Sequence, residues 1–262
     1  MQEENTRLID EASQSEAVKN TFRLGWEFLK LNQTFTLTVL GALIVLNFLG
    51  MIPLISLVAP MLAGILGITL QIYAGRAVYE SDDITNYVEV IKKSDISEVV
   101  TRHGKTAFGA YLGWVILLLA FVFAASIMAV SSGLITENMN EKDVLLAFGS
   151  IGLPLVLVAL ILSYVQPLVH SNIVLANNFQ EGFKAVFTIF SKDVWSSAIQ
   201  KSYFSYVTIF GLLIMLCVIP VALAFSVLGM GAIFNLLLVI VSYILMIIMS
   251  VGAMMARRVV EE

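Results

Sequence analysis

The distribution of lysine and arginine around six long apolar stretches constrains this chain most. The stretches are approximately 34–52, 61–79, 106–131, 145–170, 204–225 and 231–256. Each is close to the ~20 apolar residues that let a helix cross ~30 Å of hydrocarbon. Of the 15 basic residues, 14 belong to alternate connections and to the two ends of the chain, while only Lys142 belongs to the other connections. Because cytoplasmic loops are enriched in Lys and Arg, this predicts six spans with both termini in the cytoplasm.

The composition supports a membrane protein with little soluble structure. Of 262 residues, 59% are hydrophobic and 13% are charged, whereas about 25% charged residues are usual in soluble domains. We therefore predict an all-α polytopic membrane bundle, with three hairpins and cytoplasmic amphipathic helices. Residues 1–33 form the predicted cytoplasmic N-terminal segment, 34–256 the membrane domain and 257–262 a short cytoplasmic tail. The N-terminal segment lacks the basic start and short apolar core of a cleaved signal peptide, so the first span is predicted to be retained.

The cytoplasmic connections carry amphipathic patterns. In the first connection, one side of a helical wheel holds Val18, Phe22, Gly25, Trp26 and Leu29. In the third, an apolar side chain recurs at helical spacing at Phe183, Phe187, Phe190 and Val194. Such helices beside membrane spans are expected to lie in the bilayer interface. The alternative is that they pack on the bundle and never touch lipid.

Basic and aromatic residues of these connections form a candidate docking surface for lipid headgroups or for a protein partner. The candidate residues are Lys19, Arg23, Trp26, Lys184, Phe187, Lys192 and Trp195. The alternative interpretation of the aromatic residues is the ordinary aromatic belt of membrane proteins.

The central parts of the apolar stretches contain no Asp, Glu, Lys or Arg, although ion-coupled transporters and proton relays normally keep ionisable groups there. They do contain polar amides at Asn47, Gln71, Gln166 and Asn235. These amides are predicted to form hydrogen bonds between helices, each contributing ~0.6–2 kcal/mol. The alternative is that Asn47, Gln71 and Asn235 converge on a polar cavity that holds a substrate.

Signals for catalysis are absent from the sequence. It contains no H-E-x-x-H helix, no G-x-S-x-G turn and no P-loop. His103 and His170 are 67 positions apart and are expected to lie at the cytoplasmic interface. We therefore predict no enzymatic activity, no catalytic, cofactor-binding or metal-binding residue, and no nucleic-acid partner.

A short motif that occurs twice predicts a repeated unit of amphipathic helix, span, turn and span. Glu16-x-x-Lys19-x-x-Phe22 precedes the first span, and Glu181-x-x-Lys184-x-x-Phe187 precedes the fifth. The second copy lacks this triplet, so a threefold version would be degenerate.

The layout of a span that continues into a cytoplasmic Glu/Lys/Phe helix is found in residues 176–187, Ala-Asn-Asn-Phe-Gln-Glu-Gly-Phe-Lys-Ala-Val-Phe. In this layout the chain resembles a loose group of mostly uncharacterised bacterial six-span membrane proteins, which includes the membrane region joined to some glycerophosphodiester phosphodiesterases. The sequence contains no phosphodiesterase domain, so no catalytic residue carries over. The resemblance implies a six-helix fold in the inner membrane without a settled activity.

Two functional classes remain open. The first is a non-catalytic accessory, scaffold or lipid-organising protein that works through its cytoplasmic interfacial helices, with membrane lipids and a candidate protein at the cytoplasmic face as partners. The alternative is a carrier or channel for a small neutral or lipidic solute.

Overall fold

The computed structural model describes residues 14–81, 83–131, 133, 139–140, 142–143, 152–228 and 232–261. Across these residues the chain contains helices and no strand. In chain order the helices are α1 Gln14–Leu31, α2 Gln33–Leu49, α3 Val58–Tyr79, α4 Ile84–Lys92, α5 Ile96–Ser131, α6 Gly152–Leu175, α7 Phe179–Val186, a 3₁₀ helix Phe187–Phe190, α8 Lys192–Ala198, α9 Lys201–Leu228 and α10 Ala232–Glu261. The predicted all-α class is confirmed for this part of the chain.

Among the described helices, five are long and apolar enough to cross a membrane: α3, α5, α6, α9 and α10. A sixth candidate is the pair formed by α1 and α2, whose axes meet at 88°. With 17 residues, α2 alone is about 25 Å long, close to the thickness of the hydrocarbon layer. The chain is therefore a membrane protein with five or six helices capable of spanning.

Helix boundaries differ from the apolar stretches where a polar segment continues a helix. The largest difference is in α5, which begins at Ile96 although the apolar stretch begins near residue 106. Asp95 starts this helix, because its Oδ1 accepts hydrogen bonds from the backbone N–H groups of Ser97 (2.7 Å) and Glu98 (3.3 Å). Hydropathy predicts which part of a helix can lie in lipid, whereas the capping residue determines where the helical hydrogen bonding begins. The predicted start of the fourth span, 145–151, lies outside the described residues.

Three inner helices, α3, α6 and α10, pack against one another and hold much of the buried core. They approach most closely at Gly75 of α3. A Cβ atom at this position would lie 2.8 Å from Val174 of α6 and 3.1 Å from Ser250 Oγ of α10. Glycine is required here because the three helices leave no room for a side chain.

The short helices follow a cyclic order around this core. If the chain is divided into the units α1–α3, α4–α6 and α7–α10, the leading helix of each unit packs on the unit before it. Helix α4 packs on α3, α7 packs on α5 and α6, and α1 packs on α9 and α10. Such an order is what a threefold repeat predicts.

Helix α1 packs on the bundle with a face that includes most of its predicted apolar side, since Val18 and Gly25 are buried and Phe22 and Leu29 pack against the core. Its fully buried side chains include Thr21, Leu24 and Phe28, whereas Trp26 is 64% exposed. The buried face is centred on Leu24 and Phe28, so Trp26, at the edge of the predicted apolar side, faces away from the bundle. The bundle therefore covers one side of α1 and leaves Trp26 on the other.

The predicted stripe of the third connection does not lie on one helix. The 3₁₀ helix and Ser191 separate α7 from α8, and the Ser191 hydroxyl oxygen accepts from the Val194 N–H at 3.3 Å to start α8. As a result Phe190 is exposed while Val194 is buried. Helical spacing in the sequence cannot reveal this break, because the chain changes direction within the stripe.

Arg258 of α10 caps the C-terminal end of α3. Its Nη2 donates hydrogen bonds to the carbonyl oxygens of Val78 (2.7 Å), Tyr79 (3.3 Å) and Ser81 (2.9 Å). The last carbonyls of a helix have no partner within it, and a cation there also offsets the negative end of the helix dipole. A residue predicted only to orient the chain thus also joins two helices.

Arg76 of α3 caps the C-terminal end of α6 in the same way. Its Nε donates to the Val174 carbonyl oxygen (2.9 Å) and its Nη2 to that of Ala176 (2.8 Å). The corresponding position of α6, three residues before its last residue, is Asn172, whose Oδ1 accepts from Arg257 Nη1 of α10 (2.9 Å). The C-terminal ends of the three inner helices are therefore linked to one another: α10 to α3, α3 to α6, and α6 to α10.

Replacing Arg258 by alanine is expected to destabilise the bundle by about 2–3 kcal/mol, since hydrogen bonds to charged groups are among the stronger ones and the α3 carbonyls would lose them. The matched control is Arg102→Ala, which removes a 58% exposed side chain whose ion pair with Glu80 spans 3.6 Å. An exposed pair of this kind contributes at most about 1 kcal/mol. Unfolding in mixed micelles measures both variants, and equal losses would contradict the capping role of Arg258.

Candidate ligand-binding cavity

A cavity of about 660 Å³ lies between α2, α3 and α10. Its size is within the ~300–1,000 Å³ range of small-molecule sites. One face of each helix lines it. The lining residues are Leu43, Leu46, Asn47, Gly50 and Met51 from α2 and the turn after it, Pro60, Ala63, Gly64, Gly67, Ile68 and Gln71 from α3, and Asn235, Leu238, Val239, Ser242, Tyr243 and Met246 from α10. The residues from α3 and α10 recur at three- and four-residue spacing, so each helix contributes one continuous stripe.

The cavity exists because α2 has buried side chains only near its beginning. The buried side chains of α2 are Phe35 and Val39, and none from Leu40 to Leu49 is buried. Asn32 fixes the start of the helix: its Oδ1 accepts from the Phe35 N–H (3.1 Å), and its Nδ2 donates to the Ile91 carbonyl oxygen at the end of α4 (3.0 Å). The second half of α2 therefore leaves space between itself and the inner helices.

Small residues on α3 enlarge this space. Ala63 and Gly67 both line the cavity. Residues with this spacing often permit close helix packing, but a Cβ atom at Gly67 would have only the Met246 sulfur, at 3.2 Å, within 4 Å. Their small volume provides room for a ligand on this face of α3.

The cavity brings together three of the four predicted intramembrane amides, Asn47, Gln71 and Asn235. Ser242 and Tyr243 of α10 add two hydroxyl groups to its lining. Gln166 does not belong to this cluster, because it is on α6 and the cavity is enclosed by α2, α3 and α10. Polarity alone does not indicate which way a residue of a helix faces, so the sequence does not separate Gln166 from the other three amides.

The lining residues include no Asp, Glu, Lys, Arg or His. Ionic ligands placed at membrane depth require paired charges, since an unpaired charge there costs several kcal/mol. Amides and hydroxyls can both donate and accept hydrogen bonds. The cavity is therefore suited to an uncharged ligand with hydrogen-bonding groups and a substantial apolar part.

Aromatic side chains close the end of the cavity that faces α1. Tyr243 is buried, and its hydroxyl group donates to Thr36 Oγ1 of α2 at 3.4 Å. Beyond it, the rings of Phe28, Phe35 and Tyr73 contact one another with centroids 5.6–6.1 Å apart. This cluster lies beyond the lining residue Tyr243, where α1 packs on the bundle.

Polar contacts continue behind the aromatic closure. The Ser250 hydroxyl donates to the backbone carbonyl of Gln71, and His170 Nε2 lies 3.3 Å from the same hydroxyl oxygen. His103 and His170 are each only 4% exposed, so the prediction that they lie at the water interface is wrong. Both face the interior of the bundle, since the His103 ring lies 6.5 Å from the ring of Tyr73 of α3 and His170 contacts Ser250 of α10. Within the described ranges, no group of three or more His, Cys, Asp and Glu could hold a metal ion.

The candidate docking residues fall on two separate surfaces. Lys19, Arg23 and Trp26 lie with Lys30 on the exposed side of α1, which we call the α1 surface. Its members recur at i, i+4, i+7 and i+11.

The second group lies on the segment from α7 to α8. Lys184 and Lys192 are exposed, Phe187 is half-buried against Phe183 with centroids 5.2 Å apart, and the Trp195 indole N–H donates to the Ile189 carbonyl oxygen at 2.7 Å. Helix α1 packs on α9 and α10 while α7 packs on α5 and α6, so the α7 members lie on a different part of the bundle from the α1 surface.

The segment 176–187 has a structural role at its start. Asn178 Oδ1 accepts from the Glu181 N–H (3.0 Å), while Glu181 Oε1 accepts from Asn178 Nδ2 (2.6 Å) and Oε2 from the Asn177 N–H (2.8 Å). These hydrogen bonds, with a smaller contribution from Arg76, lower the pKa of Glu181 below its ordinary value. The carboxylate thus fixes the turn between α6 and α7.

Comparisons with protein-family models, with curated proteins and with solved structures give no match for this chain.

Proposed function

We propose that α2, α3, α5, α6, α9 and α10 are six membrane spans in three hairpins, with both termini on the cytoplasmic side of the inner membrane. The positive-inside pattern of the sequence supports this orientation. The angle of 88° between α1 and α2 also supports it, because α1 then lies in the plane of the membrane. In this orientation the cavity faces the outer side, and its aromatic closure faces the cytoplasm.

Within this topology, the protein binds a small uncharged or lipidic solute in the cavity and acts as a carrier for it. The observation that supports this most strongly is that Asn47, Gln71 and Asn235, which are far apart in the sequence, line one cavity. A bundle whose amides served only to join helices would bury them against partner helices. A cavity open on one side and closed on the other is the arrangement expected of one state of a carrier.

This role is non-catalytic. The uncharged cavity lining offers no carboxylate pair or histidine for acid–base chemistry. The proposal includes no cofactor, no metal and no nucleic-acid partner. The resemblance to the bacterial six-span group remains a prediction.

The proposal is tested by measuring which molecules stay bound to the purified protein in a lipid-preserving polymer. Ala63→Phe places a ring in the cavity, and its matched control Leu62→Phe places the same ring on the 47% exposed neighbouring position. The unmodified chain and the control should retain the same molecule, while Ala63→Phe should lower its occupancy at least about tenfold, because the ring occupies the ligand's space. Equal retention by both variants, or no retained molecule, would contradict the proposal.

The α1 surface supports a second candidate function, an accessory role at the cytoplasmic face. Its basic residues and Trp26 are exposed on a helix that runs perpendicular to α2, a geometry that suits contact with headgroups or with a partner. An empty cavity, together with cross-links from residues 14–30 to one protein, would favour this function over the carrier.

A further inference from the structure

The cavity also has an opening on its side, between α2 and α10. Near its outer end, α2 stays close to α3: a Cβ atom at Gly50 would lie 3.6 Å from Pro60 Cδ. Near its inner end, α2 contacts α10 through the hydrogen bond between Thr36 and Tyr243. Between these two attachments, no residue of α2 beyond Val39 is buried. The wall between α2 and α10 is therefore the incomplete one.

Exposed lining residues lie along this wall. Asn47 of α2 and Leu238 and Ser242 of α10 line the cavity and are exposed, although Tyr243, next in sequence, is buried. Leu238 and Ser242 are four positions apart and so lie one above the other on the same side of α10. They mark the edge of the opening.

The depth of this opening indicates what lies outside it. Ser242 is ten residues from Ala232, where α10 begins, and is thus about 15 Å along the helix. That distance is about half of a ~30 Å hydrocarbon layer. With α10 spanning the membrane as proposed, the opening leads to lipid chains and not to water.

The lining matches a molecule from that environment. Twelve of the 17 lining residues are apolar or glycine, and none is charged. Asn47 and Asn235 lie toward the outer end, while Gln71 and Ser242 lie deeper. Such a site can form hydrogen bonds with the uncharged polar groups of a ligand at two depths, and it surrounds an acyl chain of the ligand with apolar side chains. Phosphate or ammonium groups would find no ionic partner on it.

We infer that the ligand is an uncharged acyl lipid, with hydroxyl, ester or amide groups, that enters the cavity from the bilayer between α2 and α10. This inference rests on the proposed binding function and specifies its ligand class and route. A water-soluble solute entering from the outer surface would be compatible with the proposed function but not with this inference.

Photo-crosslinking in intact membranes tests the inference. A diazirine amino acid replaces Gln71 in the cavity or, as a control, Leu62 on the exposed side of α3, and the adducts are identified by mass spectrometry. Position 62 should capture lipids in bulk proportion. Position 71 should capture an uncharged acyl lipid enriched at least about fivefold over its share at position 62, which corresponds to about 1 kcal/mol of preference.

A second pair of variants tests the route. Ser242→Phe fills the side opening and should remove most of the adduct at position 71, whereas Leu236→Phe, at an exposed position of α10 outside the cavity lining, should leave it unchanged. A water-soluble adduct at position 71, lipids in bulk proportion there, or an adduct unaffected by Ser242→Phe would overturn the inference while leaving a bound cavity. Absence of any adduct at position 71, with normal capture at position 62, would overturn the proposed function as well.

Discussion

Replacing Gly109 by alanine is expected to destabilise the protein by about 3 kcal/mol, a fall in Tm of roughly 10 °C. A Cβ atom at this buried position of α5 would overlap the backbone carbonyl oxygen of Phe179 in α7. The backbone carbonyl oxygen cannot rotate away as a side chain can, so α5 and α7 would have to separate. Gly182 on α7 makes the reciprocal approach, since its Cβ atom would overlap the Thr106 carbonyl oxygen.

The matched control is Gly104→Ala, five residues earlier on the same helix. A Cβ atom at Gly104 would meet only Val100 Cγ1, at 3.8 Å, so alanine fits and should stabilise the helix by about 0.5–1 kcal/mol. Thermal unfolding in one detergent compares the two variants. If both substitutions have the same sign, the close approach of α5 and α7 is wrong.

The sequence predicts the helical class and the presence of amides within the spans, because hydropathy and polarity are properties of the residues themselves. It does not predict that Asn47, Gln71 and Asn235 share a cavity while Gln166 lies apart. That outcome depends on the path of α2, which is anchored by Asn32, Phe35 and Val39 and then moves away from the inner helices. The spacing of apolar residues in the sequence does not predict this path.

The role of some small and basic residues could not be read from spacing either. Gly109 and Gly113 have the four-residue spacing of a close helix contact, and a Cβ atom at Gly113 would lie 3.0 Å from the Phe183 carbonyl oxygen. Ala63 and Gly67 have the same spacing but line a cavity. The partner helix decides between the two outcomes. Likewise, Arg258 counts as one positive charge in a topology argument, and only the fold shows that it caps α3.

Gln71 is expected to be reachable by water from the outer side of the membrane and not from the cytoplasm. It lies 13 residues into α3, about 20 Å from the start of that helix, at a depth where a residue facing lipid would not react with a charged reagent. The cavity that it lines extends to Pro60 and Met51, which are both exposed. On the other side, the rings of Phe35 and Tyr73 close the path.

Cysteine labelling in intact cells measures this directly. Cys217 is the only cysteine, so Cys217→Ser gives a background without reactive thiols. In that background, Lys142→Cys should react with an impermeant thiol reagent, while Lys92→Cys should react only after permeabilisation, because the proposed topology places the two residues on opposite sides of the membrane. Leu62→Cys, on the exposed side of α3, should react in neither condition.

The decisive variant is Gln71→Cys, tested alone and together with Ala63→Phe. The proposed cavity predicts that Gln71→Cys reacts in intact cells at a rate comparable to Lys142→Cys, and that Ala63→Phe abolishes this reaction. Failure of Gln71→Cys to react in intact cells while Lys142→Cys does, or its reaction only after permeabilisation, would contradict an outward-facing cavity between α2, α3 and α10.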